Sequence, residues 1–247
     1  MKAIILAAGR GHRMGEATND KPKCLTVFNG RTLLDWQLLA MRKAGINDVA
    51  IVRGYLDEKL EKFSSTFFEN PRWAETNMVR SLLCAEDWLA EFPCVISYSD
   101  IFYGVDVVRK LSECSKDVVI SYDPSWLALW SHRFEDPLSD AETFVLGDNG
   151  IVREIGNRTT SIADIEGQYM GLLKFTPVGW SKISNYLKTL TELQIDQLDM
   201  TSLLSSLIVN EIDVYAVPVE SAWGEVDSEH DLQVYTDMIK RQDLVFP

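Results

Sequence analysis

Leu6-Ala7-Ala8-Gly9-Arg10-Gly11-His12-Arg13-Met14 is the stretch that decides the fold, and it continues the apolar residues 2–6. An apolar segment that ends in small residues and glycines predicts a buried β-strand opening into a loop. Such a loop lets backbone N–H groups approach phosphate oxygens closely, and Arg13 and Lys23 can add fixed positive charge. We therefore predict a loop that holds a triphosphate. Its predicted nucleotide-binding residues are Leu6, Ala7, Ala8, Gly9, Gly11, Arg13 and Lys23.

A plain turn and the phosphate loop of a dinucleotide-binding oxidoreductase are the alternative interpretations of this stretch. Gly9, Gly11 and Gly15 fit G-x-G-x-x-x-G rather than G-x-G-x-x-G. The acidic residue expected about 20 positions after a dinucleotide loop has no clear candidate at a strand end. The glycine pattern alone is a weak indication of a triphosphate-binding loop, and it becomes a strong one in combination with Arg13 and the pair Pro22-Lys23.

Strand-like and helix-like segments alternate outward from this loop. Strands are predicted at residues 48–52, 94–98, 118–122, 167–175 and 213–219, and helices at 32–44, 77–89, 105–111, 178–190 and 201–208. Repeated β-α-β order predicts an α/β, Rossmann-like fold with a mixed, mostly parallel sheet flanked by helices. Asp148-Asn149-Gly150 predicts a β-hairpin insertion over residues 142–155. We expect one domain, 1–247, with a nucleotide-binding half at 1–122 and an acceptor-binding half at 123–247.

Composition excludes several classes of partner. The net charge of −13 argues against nucleic acid and anionic membranes, which both require clustered Lys and Arg. No stretch reaches the roughly 20 apolar residues of a membrane span, so a cytoplasmic protein is expected. The four cysteines form no C-x-x-C pair and predict reduced thiols rather than a zinc site.

Carboxylates form two further candidate sites. Asp100 follows the apolar strand predicted at 94–98, and ligands of open α/β sheets bind outside such strand ends. Alternation places Glu225 and Asp227 on one face of a short segment. Asp100, Glu225 and Asp227 together would suit Mg²⁺, which binds carboxylates, phosphates and water. The alternative is that Asp100, Asp227 or Ser228 caps a helix.

The opening motif, L-A-A-G-x-G-x-R-M followed by Thr18 and Pro22-Lys23, resembles that of nucleotidyltransferases of the sugar-phosphate and phosphocholine type. The resemblance implies the fold of nucleotide-diphospho-sugar transferases. It also implies that Asp100 holds the catalytic Mg²⁺. Glu225-Val226-Asp227-Ser228 with Asp231 resembles the metal-binding end of bacterial phosphocholine cytidylyltransferases. The catalytic residues expected from both motifs are Lys23, Arg13, Asp100 and Asp227.

Residues 73–82, 140–143 and 166–171 resemble segments of bacterial CTP:phosphocholine cytidylyltransferase-like proteins, a group that includes CTP:phosphoglutamine cytidylyltransferases. This resemblance implies transfer of CMP from CTP to phosphocholine, phosphoglutamine or a phosphonate, with release of pyrophosphate. It further implies a role in cell-surface or capsule polysaccharide decoration, with a homodimer as a possible assembly. A sugar-1-phosphate nucleotidyltransferase and a non-catalytic nucleotide-binding regulator are the alternatives. The presence of Arg13, Lys23, Asp100 and Asp227 together argues against the regulator.

Substrate-contacting side chains are predicted less specifically. Asn77 and Ser81 lie one helical turn apart and could meet the base or ribose, but a helix start at Thr76 explains them equally well. Aromatic faces attract quaternary ammonium groups, whereas core packing is the alternative role for the tryptophans. A solvated lysine is likewise the alternative for Lys174. The candidate acceptor-binding residues are Trp126, Trp130, Arg133, Glu142, Lys174 and Trp223.

Overall fold

The computed structural model describes residues 1–244, and a seven-stranded sheet organises them. The strands of the described part are β1 (Lys2–Ala7), β2 (Val27–Phe28), β3 (Arg31–Thr32), β4 (Val49–Arg53), β5 (Thr66–Glu69), β6 (Cys94–Tyr98), β7 (Ile101–Tyr103), β8 (Val118–Asp123), β9 (Glu142–Leu146), β10 (Val152–Arg158), β11 (Gln168–Phe175), β12 (Tyr215–Pro218) and β13 (Trp223–Glu225). The main sheet has the order β12-β8-β11-β6-β1-β4-β5. Its pairs are parallel except at β11, which runs antiparallel to β6 and β8. The predicted mixed, mostly parallel sheet is therefore confirmed.

Helices cover both faces of this sheet. They are α1 (Leu33–Lys43), α2 (Met78–Leu83), α3 (Glu86–Glu91), α4 (Val105–Glu113), α5 (Trp126–Arg133), α6 (Pro177–Leu187), α7 (Glu192–Gln197), α8 (Met200–Val209) and α9 (Glu229–Arg241). Within residues 1–244, no helix is long and apolar enough to cross a membrane.

The core has two layers because successive side chains of β1 point to opposite faces. Ala3, Ile5 and Ala7 pack in the layer that contains α1, α4, α5 and α9. Ile4 and Leu6 pack in the layer that contains α2, α3, α6 and α8. Burial on both faces explains why β1 is apolar from Ala3 to Ala7.

The predicted hairpin insertion is present as β9 and β10, paired antiparallel. Asn149 and Gly150 have φ of 59° and 73° in its turn, which Asn and Gly tolerate best. The close approach of Gly156 to Thr201 allows the hairpin to pack against α8.

Several features differ from the predicted pattern. The helix expected at 77–89 is two helices, α2 and α3, because the chain tightens to i→i+3 hydrogen bonds at Cys84 and Ala85. The edge strand β5, helix α7 and the two-stranded ribbons β2–β3 and β7–β13 were not predicted. Strand β11, from the predicted acceptor half, lies between β6 and β8 in the main sheet. The proposed division at residue 122 stays a prediction, and 245–247 lie outside the described residues.

Candidate active site

The loop after β1 lies at the carboxyl end of a central strand, where open α/β sheets bind ligands. The Ala8 carbonyl accepts a 2.9 Å hydrogen bond from the Tyr55 N–H. Buried Thr18 folds the loop back on itself, since its hydroxyl donates to the carbonyls of Gly11 and Gly15, at 3.3 Å each. The folded loop leads directly into the segment that contains Lys23.

Lys23 lies between two carboxylates. Its Nζ is 2.8 Å from Asp100 Oδ2 and 2.6 Å from Asp227 Oδ1, and the residue is 5% exposed. Burial alone would lower the pKa of Lys23, but attraction to Asp100 and Asp227 and the hydrogen bonds to both outweigh burial and raise it. Lys23 therefore remains a cation at neutral pH. Arg13, largely exposed, adds a second contact of 2.9 Å to Asp227 Oδ1.

The β7–β13 ribbon brings the two acidic motifs together. Glu225 pairs with Ile101, and the Val226 N–H donates a 2.9 Å hydrogen bond to the Asp100 carbonyl. As a result, carboxylate oxygens of Asp100, Glu225 and Asp227 lie within 4.8 Å of one another. We call these three residues the acidic cluster.

A buried ion pair lies behind the acidic cluster. Asp231, in the first turn of α9, accepts hydrogen bonds from the backbone N–H groups of Asp227 at 2.9 Å and Ser228 at 2.8 Å. It also accepts a 2.8 Å bond from Nε of Arg133, whose side chain is fully buried. The terminal nitrogens of Arg133 are 3.7 Å from Glu225 Oε2 and 3.8 Å from Asp227 Oδ2. Arg133 and Asp231 thus hold the Asp227 backbone in place.

The charges of the acidic cluster are suited to a divalent cation. Burial raises the pKa of Glu225 to about 8, and the like charges of Asp227 and Asp100 add to the rise. Asp100 Oδ1 is buried without a hydrogen-bond partner among the described residues. Crowded carboxylates with an unpaired oxygen are the donor set of a hard metal ion. The cluster therefore fits such an ion.

Two pockets meet at this cluster. The first contains most of the residues predicted to bind nucleotide. It is lined by Leu6, Ala8, Gly9, Gly11, Lys23, Trp73, Thr76, Asn77, Met78, Ser81, Tyr98, Ser99 and Asp100. The side chain of Ala7 packs instead in the opposite core layer.

Asn77 and Ser81 line the first pocket and also serve local structure. Asn77 is the N-cap of α2, and its Oδ1 accepts a 2.8 Å hydrogen bond from the Met78 N–H. Ser81 Oγ accepts a 3.0 Å bond from Asn70 Nδ2. A helix start is therefore present, with its N-cap at Asn77 rather than at Thr76, and both residues also line the pocket. Contact with a base stays a prediction.

The second pocket contains Arg13 and the other two cluster carboxylates. It is lined by Arg13, Tyr98, Trp130, Asp140, Glu142, Gln168, Tyr169, Met170, Gly171, Thr201, Glu225 and Asp227. Tyr98 separates the two pockets and lines both. Gly171 has a φ of 74°, and a Cβ there would lie 2.7 Å from the Tyr98 ring, so this wall requires glycine.

The tryptophans predicted as a choline cage are buried. Trp126 donates its indole N–H to the Ile165 carbonyl at 3.1 Å, and Trp223 donates to Asp123 Oδ2 at 2.9 Å. The Trp130 ring centroid is 6.1 Å from each of the other two. The three rings thus form one core group, from which Trp130 also reaches the second pocket, because α5 turns its apolar face inward.

The remaining predicted acceptor residues lie in three different places. Glu142 lines the second pocket. Arg133 lies behind the acidic cluster, paired with Asp231. Lys174 pairs with Val95 near the start of β6, away from the strand end that leads to Asp100, and its Nζ donates to the Cys114 carbonyl. The structure therefore does not bring Lys174 to either pocket.

Several pocket-lining residues were not singled out as site residues. Trp73, Thr76 and Tyr169 belong to segments that carried the family resemblance, which is the signal that could have found them. Tyr98 sits one position before Ser99-Asp100. Gln168 lies in the same resemblance segment as Tyr169, whereas Thr201 had no signal, because a threonine does not indicate a site on its own.

Comparison with known proteins identifies the family. The sequence model of one protein family, the MobA-like NTP transferase domain, matches residues 3–160. The chain belongs to this family. It is a nucleotidyltransferase, as the opening motif predicted.

Relatives of this nucleotidyltransferase extend the likeness over the whole chain. CTP:phosphoglutamine cytidylyltransferase of Campylobacter jejuni is 36% identical over 95% of this chain and 98% of that protein. 2-Aminoethylphosphonate cytidylyltransferase of Lancefieldella rimae is 25% identical over 94% and 91%. The solved inositol-1-phosphate CTP transferase from T. maritima shares the fold, with a TM-score of 0.75, 19% identity and coverage of 99% and 98%. The resemblance to cytidylyltransferases is thus confirmed.

The position of Gly11 in this nucleotidyltransferase gives a first test. Gly11 has a φ of 74°, and a Cβ there would lie 2.7 Å from Lys23 Cδ and 2.8 Å from Lys23 Cβ. We expect Gly11→Ala to displace Lys23 and to lower kcat at least about tenfold, a barrier change of ~1.4 kcal/mol. Gly30→Ala is the matched control, because Gly30 has a similar φ of 76°, but a Cβ there would meet no atom of the described residues within 4 Å. Equal losses of kcat in the two variants would show that backbone strain, not Lys23, is responsible.

Proposed function

We propose that the protein transfers CMP from CTP to a small phosphorylated acceptor and releases pyrophosphate. The observation that carries this proposal is the meeting of two pockets at the acidic cluster and Lys23. An acceptor phosphate or phosphonate oxygen would attack the α-phosphorus of CTP in line, so no covalent enzyme intermediate is required. Because both reactants are anions, catalysis depends on alignment and on neutralising their repulsion.

Lys23 and Arg13 supply the protein's own positive charge to this reaction. Lys23 lies at the border of the first pocket with its charge fixed by two carboxylates, and Arg13 reaches from the loop into the second pocket. We assign Lys23 to the α-phosphate and Arg13 to the acceptor side. Backbone N–H groups at Gly9 and Gly11 would bind the triphosphate, because glycine permits close approach.

We propose Mg²⁺ as the cofactor, held by Asp100, Glu225 and Asp227. When bound, the ion would neutralise phosphate charge and help to orient the reacting groups. The unpaired Asp100 Oδ1 and the raised pKa of Glu225 support a cation at this position. The oxygen donor set favours Mg²⁺ over metals that prefer nitrogen or sulfur ligands.

The second pocket supports an acceptor with an amine. Asp140 and Glu142 line it with Gln168 and Thr201, and Arg13, assigned to the acceptor side, lines the same pocket. Such carboxylates favour an ammonium group over a neutral sugar hydroxyl. Two relatives bear the names of acceptors with amino groups, phosphoglutamine and 2-aminoethylphosphonate. We therefore place phosphoglutamine and aminophosphonates before phosphocholine, since Trp130 lines the second pocket without Trp126 and Trp223, which does not make a cage of three indole rings.

A pyrophosphate-release assay tests the function directly. CTP, UTP, dTTP and ATP are each paired with phosphoglutamine, 2-aminoethylphosphonate, phosphocholine and glucose 1-phosphate. We expect kcat/KM for CTP to exceed that for UTP about tenfold or more, because buried acceptors for the cytosine amino group would face uracil O4 unpaired. Comparable values for CTP and UTP would contradict the base assignment. Rapid turnover of glucose 1-phosphate alone would favour a sugar-1-phosphate nucleotidyltransferase, and nucleotide binding without turnover would favour a regulator.

The cellular setting rests on the resemblance to bacterial cytidylyltransferases. We propose that the enzyme acts in the cytoplasm, where CTP is made, and that its product serves cell-surface or capsule polysaccharide decoration. A homodimer stays a prediction.

A further inference from the structure

The far wall of the first pocket comes from one short segment, residues 73–81. Trp73, Thr76, Asn77, Met78 and Ser81 all line the pocket. Residues 73–75 of this segment form a turn, and residues 78–81 belong to α2, whose buried Val79 packs in the core layer that contains Ile4 and Leu6. Because residues 73–77 precede the helix and belong to no strand, their position depends on contacts with other parts of the chain.

Residues 192–198, more than 110 positions later in the chain, provide many of these contacts. The Asn77 N–H donates to the Asp196 carbonyl at 2.6 Å, and the Val79 N–H donates to the Leu198 carbonyl at 3.2 Å. Asn77 Nδ2 adds a 3.2 Å bond to the Gln197 carbonyl. The backbone of the pocket wall is thus bonded directly to the end of α7.

Asp196 strengthens this connection through two arginines. Arg72 donates to both its oxygens, at 3.3 and 2.5 Å, and Arg80 Nε donates to Oδ1 at 2.7 Å. The Arg72 hydrogen bond holds the pKa of Asp196 below its usual range, so the carboxylate is charged at neutral pH. Arg72 and Arg80 directly flank the lining residues Trp73 and Ser81, and neither arginine lines the pocket. One carboxylate therefore clamps both ends of the wall from behind.

We propose that Asp196 is a positioning residue for the nucleotide, acting through the wall segment 73–81. This inference rests on the proposed function, since it takes the first pocket to be the nucleotide site. Asp196 touches neither the acidic cluster nor the second pocket. Its effect should therefore fall on nucleotide binding and leave the chemical step and acceptor binding unaffected.

Asp196→Asn tests the proposal by a split between binding and turnover. We expect the Kd for CTP, measured by calorimetry, and the KM for CTP to rise about tenfold, because charge-assisted bonds at both ends of the wall are weakened. The kcat at saturating CTP and the KM for the acceptor should stay within about threefold. Asp196→Glu, which keeps the charge, should recover part of the affinity.

Glu192→Gln is the matched control. Glu192 also pairs with Arg80, at 2.6 Å, but its side chain is 79% exposed, so its loss should change the Kd for CTP less than about twofold. An Asp196→Asn protein with a Kd like that of Glu192→Gln would overturn the proposal. A parallel fall in kcat and acceptor affinity would also overturn it, by indicating general loosening of the fold.

Arg72→Gln keeps the proposal testable if Asp196→Asn does not fold, because half-exposed Arg72 can be replaced with little cost in burial. It should raise the Kd for CTP about threefold or more, and an unchanged Kd would overturn the proposal. Failure of the proposed function would look different, since the wild-type protein would then release no pyrophosphate from CTP with any acceptor.

Discussion

Asp227→Asn is expected to lower kcat by at least about 10²-fold while the melting temperature stays within a few degrees of the wild type. Asp227 is a proposed metal ligand and also contacts Lys23 and Arg13. Its replacement would remove a negative charge from the proposed cation site and one of the two carboxylates that contact Lys23. We expect the transition state to lose ~2.7 kcal/mol or more of stabilisation. Stability should be largely retained, because Lys23 retains its contact with Asp100 and the backbone N–H of residue 227 retains its hydrogen bond to Asp231.

Steady-state kinetics at several Mg²⁺ concentrations, with thermal unfolding, measure this effect. Asp100→Asn should behave similarly, since its Oδ1 has no partner among the described residues. Asp148→Asn, at the exposed hairpin turn, controls for loss of a negative charge. A kcat above about one tenth of wild type in either cluster variant, a loss below ~1.4 kcal/mol, would mean that its carboxylate is not a principal metal ligand.

The parts of the fold that follow from local sequence could be predicted. Strand β1, the glycine loop and α1 each have an apolar pattern or a capping signal within a dozen residues, as with Thr32 and Asp35 at the start of α1. The alternation of such segments, with the turn residues 148–150, was enough to predict the sheet and the hairpin. Asp100 was likewise proposed as a site residue from its place at a strand end, and the structure brings it together with Glu225 and Asp227.

Features that depend on distant residues could not be predicted. The β7–β13 ribbon consists of two strands of three residues, too short for a detectable period, and it joins segments over 120 positions apart. Sequence also cannot say whether a charged side chain faces solvent or the interior. Arg133 and Lys174 were therefore taken as acceptor ligands, whereas the first lies buried behind the acidic cluster and the second near the opposite end of the sheet.

Lys23→Ala should lower kcat about 10²- to 10³-fold and change the Kd for CTP less than about threefold. A cation fixed beside the α-phosphate interacts most strongly with the charge that reorganises in the transition state. Its removal should therefore affect turnover more than binding. The fixed position follows from contacts of 2.8 and 2.6 Å to two carboxylates, and from burial that excludes competing water.

Arg10→Ala is the matched control for Lys23→Ala, because Arg10 is a cation of the same loop that pairs with Asn19 and does not line either pocket. Single-turnover rates and CTP binding by calorimetry separate the two effects. If Lys23→Ala loses CTP affinity while kcat is unchanged, Lys23 binds the ground-state triphosphate and has no special role in the transition state. If kcat falls and binding is retained, the two carboxylates serve a second purpose besides the proposed metal binding, since they also keep the lysine charged and directed at the reacting phosphate.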